Sequence, residues 1–149
     1  MRKFCKGLTP VICVMVIILA LTSCASSMSV TCNVGTGDTI KVTLDTSEGF
    51  MLEGADDYGF YVTQDDDKIF QAAFVDEDDY EAYKHALDDL VEIIEEDSAN
   101  GITWTSYNLD GRSSFIVWIN GSDTGLVMGG MEDYDTEKKV FDSLTFSVK

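Results

Sequence analysis

Short segments in which every second residue is apolar recur along this chain, and turn-forming residues separate them. Residues 39–44, Thr-Ile-Lys-Val-Thr-Leu, set Ile40, Val42 and Leu44 against polar neighbours. A period of two places the three side chains on one face of a half-buried strand. Phe50 and Leu52 continue the alternation after the glycine at 49, and residues 58–63 and 69–75 form a further pair. Between that pair lie Asp65, Asp66 and Asp67, which suit a hairpin tip because aspartate tolerates turn conformations. Later strands are expected over 102–107, 113–120, 126–131 and 145–149. Asp110-Gly111 is a hairpin signal. Residues 113–120 are apolar at nearly every position, so that strand should be central and covered on both faces. Gly129-Gly130 marks a bulge or a close packing site.

Two segments carry helical spacing instead. Over residues 76–101, Tyr80, Tyr83, Leu87, Leu90, Val91 and Ile94 line up as one apolar stripe. Asp76 is a suitable N-cap, Glu77, Asp78 and Asp79 favour the positive end of the helix dipole, and Asn100-Gly101 reads as the stop. Glu95, Glu96 and Asp97 sit on the wrong end of that dipole, and the helical reading has no reason for them. A shorter helix is expected over 133–144, capped by Asp135, with Val140, Phe141 and Leu144 inward. The resulting order is four strands, a helix, three strands, a helix and a strand. Short turns between neighbours make the sheet mostly antiparallel, so the fold class is α+β, with one long and one short helix packed on the sheet.

The first residues are of another kind. Arg2, Lys3 and Lys6 precede an uncharged run from Leu8 to Ser23. A basic head, a short apolar body and a small-residue exit describe a secretory signal. The most apolar part, 11–21, is shorter than the roughly 20 residues of a comfortable span. The exit, Leu21-Thr22-Ser23-Cys24, resembles the lipobox of bacterial lipoproteins. That resemblance implies a diacylglyceryl group on Cys24, cleavage just before it, and attachment to the extracytoplasmic face of the cell membrane. Two or three acyl chains bury enough methylenes, at about 0.8 kcal/mol each, for stable anchoring. A cut after Ala25, or retention as an uncut anchor, are the competing readings. The chain then divides into a signal peptide (1–23), a flexible tether (24–38) and a single acidic domain (39–149). Cys5 and Cys13 leave with the signal, so Cys32 is left as a thiol in the tether or an intermolecular link.

The element order and the ending Val140-Phe141-Asp142-Ser143-Leu144-Thr145-Phe146-Ser147-Val148-Lys149 are similar to the PsbP-like fold, a family that includes many small bacterial lipoproteins. Where that family has a Pro-Gly-Trp turn, this chain has Ser47-Glu48-Gly49-Phe50. The resemblance implies a sandwich of helices on an antiparallel sheet and a non-enzymatic binding or assembly role. It carries over no functional residue.

Charge bounds the partners. Three of the ten basic residues and none of the 27 acids lie before Cys24, so the remainder carries seven cations against 27 acids, a formal −20. That argues against nucleic acid or an anionic lipid surface, and favours cations or a basic envelope protein as partner. The lone histidine, His85, points away from the helical stripe, and no Gly-x-Ser-x-Gly elbow is present. Glu81, His85 and Asp89 share a helix face, with Asp88 and Glu92 beside them. Glu81 and Asp89 are two turns, about 12 Å, apart, so only one of them can share an ion with His85. The Asp65-Asp66-Asp67 tip and the Asp56-Asp57 pair are further candidates for weak Ca²⁺ binding, though neither fits an EF-hand loop. Trp104, Tyr107, Phe115 and Trp118 form either core or an aromatic pocket. The leading expectation is a lipid-anchored, non-catalytic binding or assembly module without a cofactor. The alternative is a surface protein binding a divalent cation through Asp65, Asp66, Asp67, His85 and Asp89.

Overall fold

A computed structural model describes residues 26–149. The order is β1 (Ser27–Asn33), β2 (Thr39–Asp45), β3 (Met51–Ala55), a 3-10 turn (Asp56–Tyr58), β4 (Gly59–Gln64), β5 (Asp67–Val75), α1 (Glu77–Leu90), β6 (Glu92–Ala99), β7 (Ile102–Leu109), β8 (Arg112–Ile119), β9 (Gly125–Gly130), α2 (Tyr134–Asp142) and β10 (Leu144–Val148). All pairings are antiparallel. They form a three-stranded sheet, β1-β2-β10, and a seven-stranded sheet, β3-β4-β5-β9-β8-β7-β6. The class is α+β, mostly antiparallel, with one long and one short helix.

β8 is central, and both its faces are covered. Phe115, Val117 and Ile119 point into the main core with the three-stranded sheet and α2, where Phe141 stacks on Phe115 with centroids 4.7 Å apart. Ile116 points the other way, to Tyr80 of α1 and to Tyr107, with Trp118 packed beside them. The four aromatic candidates therefore divide between two cores. Trp104 and Phe115 belong to the first, Tyr107 and Trp118 to the second. Burying side chains of this size stabilises by roughly 1.5–3 kcal/mol each.

Three expectations are corrected. The tether proposed for 24–38 is a strand over Ser27–Asn33, paired with β2 from Ser27↔Asp45 to Asn33↔Thr39. Its inward residues, Met28, Val30 and Cys32, alternate with Ser and Thr, which a strand accepts readily. Cys32 is 4% exposed and belongs to the main core, so its thiol is not in a tether.

The long helix stops at Leu90. Val91 is already extended (φ −135°, ψ 148°), and Glu92–Ala99 is β6. Asn100 and Gly101 take φ of 54° and 80°, which makes them the two-residue turn of the β6–β7 hairpin and not a helix stop. The inward side of α1 is Tyr80, which is buried, and Leu87, half-buried, with Val91 half-buried just past the helix end. Tyr83 and Leu90 are exposed.

The cap of α2 is Asp133, whose side chain accepts from the Thr136 N–H, and not Asp135.

Candidate functional site

Cys24 lies outside the described residues. Asp65 and Asp66 form the β4–β5 turn, with φ of 52° and 69°, and Asp67 opens β5. All three are exposed. On α1, His85 Nε2 lies 3.6 Å from Asp89 Oδ2, with side chains 82% and 67% exposed. Among the described residues, no three or more His, Cys, Asp or Glu side chains are gathered so as to hold a metal ion. The hairpin tip and the helix pair are thus separate surface features. The side chain of Asp88, expected beside His85, turns instead toward the sheet.

Asp88 is the centre of a polar group that the helical pattern concealed. Tyr107, fully buried, donates its hydroxyl to Asp88 Oδ1 at 2.7 Å, and Lys84 donates to Oδ2 at 2.8 Å. Lys84 Nζ is also 3.9 Å from Glu96 of β6, and Glu96 accepts from Thr105 at 3.2 Å. The Lys84 and Tyr107 hydrogen bonds hold Asp88 below the usual carboxylate range. Burial, then the Asp88 carboxylate, push the Tyr107 phenol well above its usual value, so it keeps its proton. The group ties α1 to β7 and β6.

Glu137 is the second such group. It is 1% exposed, and it accepts the backbone N–H of Ser113 at 3.2 Å on one oxygen and that of Glu132 at 3.0 Å on the other. Burial raises its pKa against the pull of these hydrogen bonds. Its carboxylate lies where a side chain on Gly130 would begin, so Gly130 serves close packing, with no bulge in β9. At the opposite end, Asp38 accepts from Thr124 Oγ1 and from the Asp123 N–H, each at 2.8 Å, and so joins the β1–β2 turn to the β8–β9 turn. These three groups spend their polar atoms on holding elements together.

β6 differs from all of them. All eight of its residues are exposed, and among the described residues it pairs only with β7. Among the described strands the other edges, β1, β3 and β10, each bury or half-bury part of their length. Ile93 and Ile94 are each 42% exposed, and Leu90, just before the strand, and Leu109, next to the Glu92↔Asn108 pair, are exposed as well. Ile93, Ile94, Asn108, Arg112 and Tyr134 help line a groove of about 440 Å³ at the start of the strand. Carboxylates occupy both faces. Glu96 meets Lys84 on the α1 side, and Glu95 accepts from Tyr134 of α2 at 3.3 Å on the other. The signals for this surface are the branched residues Val91, Ile93 and Ile94 and the Asn-Gly turn, which the helical periodicity outweighed.

No family model, curated protein or solved structure matches this chain.

Proposed function

We propose that the protein is a non-catalytic binding or assembly module, held by lipid on Cys24 at the extracytoplasmic face of a cell membrane. The observation that carries the binding role is the surface at β6. There, among the described residues, an unpaired strand edge adjoins the exposed apolar side chains of Leu90, Ile93, Ile94 and Leu109. Clusters of that kind mark interaction sites more often than they occur by chance. The anchoring role rests on the lipobox-like Leu21-Thr22-Ser23-Cys24. The PsbP-like resemblance of the ending at residues 140–149 points to the same kind of role. A lipid tether raises the local concentration of the domain near envelope partners without any new contact.

The test is a photoreactive residue placed at Ile93, with one at Tyr61 on a distant strand as control, in wild-type and Cys24→Ala chains expressed in an envelope-bearing host. The expected result is acylated, membrane-bound wild-type protein giving a discrete adduct from position 93 and none from 61, with the adduct weakened in Cys24→Ala. An unacylated soluble chain, or equal labelling from both positions, contradicts the reading.

A further inference from the structure

The geometry points to strand addition at β6: we infer that this edge binds an extended, lysine- or arginine-bearing segment of a partner protein as an eighth strand of the large sheet. The inference deepens the binding reading above and rests on it. Three features of the strand converge.

The first is the free backbone. β6 is the terminal strand of the seven-stranded order, and a terminal strand presents its outward N–H and C=O groups as a template for another chain. Part of that edge is occupied already: the Ser98 N–H donates to its neighbour Asp97 at 2.7 Å. The opening is therefore at the Glu92–Glu96 end. A register shift between Ile93 and Glu95 there also increases the local twist.

The second is side-chain recognition. Ile93, Ile94, Leu90 and Leu109 are exposed at this same end, and the groove lined by Ile93, Ile94 and Tyr134 can receive alternate side chains of an added strand.

The third is charge, which selects the occupant. Glu92, Glu95, Glu96 and Asp97 account for half of the strand, and β6 has no basic residue of its own. Among the described residues, three cations lie near it: Lys84, shared with Asp88; Lys138 of α2, paired with Asp142; and Arg112, which lines the groove. A second copy of β6 would set carboxylate opposite carboxylate, which is destabilising across a strand pair. The same carboxylates attract a cationic strand and speed its encounter. The acids thus bar self-association through the edge and leave it open to a basic segment.

The probe is a synthetic peptide, acetyl-Lys-Val-Lys-Val-Lys-Val-Lys-amide, titrated by fluorescence anisotropy into the full chain in nonionic detergent at low salt. A second peptide has the same sequence with alternate backbone nitrogens methylated along one edge, in both possible phases, and a third replaces lysine by glutamate. The expected results are saturable binding of the first, at least tenfold weaker binding of the methylated form in one phase, and none of the glutamate form. Amide exchange in the bound complex should slow at least tenfold in β6 and stay unchanged in β1, β3 and β10. Equal binding of all the lysine peptides would reduce the effect to charge, and no binding, or protection at another edge, would overturn the proposal outright. If position 93 still captures a partner in cells while the peptide fails, strand addition is wrong and the binding role stands. If the peptide binds while position 93 captures nothing, the cellular role is what fails.

Discussion

β8 and β6 are both eight-residue strands of one sheet, separated only by β7. β8 buries Phe115, Ile116 and Val117 completely, whereas no residue of β6 is buried. Both helices and the second sheet cover the middle of the large sheet, and at β6 the helices contribute single polar side chains, Lys84 near Glu96 and Tyr134 on Glu95. The difference separates two duties. The central strand holds the two cores together and has nothing to offer solvent. The edge strand contributes little packing, so its sequence is free to serve recognition and to resist aggregation.

Substitutions should reproduce that division. Phe115→Ala removes a ring that packs on Phe70, Trp104, Tyr134 and Phe141, and should cost about 3–5 kcal/mol in urea unfolding. Ile93→Ser, its counterpart on the edge, should cost a small fraction of that. Should the two losses be comparable, β6 is packed against something and the contrast fails.

Tyr107→Phe tests the link between the interior and α1. It removes a buried hydroxyl that donates to a carboxylate, and about 1.5 kcal/mol should be lost, read as a lowered urea midpoint. Gly101→Ala tests the tight turn between β6 and β7. A residue at φ 80° is strained by about 1–2 kcal/mol once it has a side chain, and the loss should be read as a lowered urea midpoint.

The pH profile should rise and then fall. Glu137 has a raised folded pKa, so the folded state takes up a proton first and stability increases as pH drops through that value toward the unfolded glutamate pKa of about 4.3. Partial neutralisation of the acidic surface acts in the same direction. Asp38, Asp88 and Asp133 have lowered folded pKa values; their contribution is present above the unfolded aspartate pKa of about 3.9 and is lost as pH falls through the folded values. Thermal melts from pH 7 to 2 should therefore show a maximum on the acidic side of neutrality. A steady decline from pH 7 would contradict the raised Glu137. Smallest of all, Glu96→Gln should change stability by less than about 0.5 kcal/mol while weakening binding of the lysine peptide.

Much of this fold was legible in the sequence. Alternation located β2, β3 and β7, apolar runs between turn signals located β4, β5, β8, β9 and β10, and the continuous apolar run of β8 announced its central place. β1 was hidden because its inward positions are Met28, Val30 and Cys32, spaced by small polar residues that also suit a tether. Residues 76–101 misled for a different reason. Val91 and Ile94 extend the helical stripe by chance and outweigh the branched residues and the Asn100-Gly101 turn that point to a hairpin with β7. The three late acids that opposed a helix dipole, Glu95, Glu96 and Asp97, are unremarkable on an exposed edge strand. Tyr107–Asp88 and Glu137 were illegible, because each joins residues far apart in the chain and depends on register that no local pattern encodes.

The most direct measurement is residue-resolved amide exchange through 76–101 of the full chain in detergent. A helix to Leu90 followed by an open edge strand predicts continuous protection over the last turns of α1. In β6 it predicts alternation, slow at amides bonded to β7 and fast at those facing outward. Continuous protection running on to Ala99 would restore the long helix and remove the edge. Protection of every β6 amide would mean that the edge is already covered.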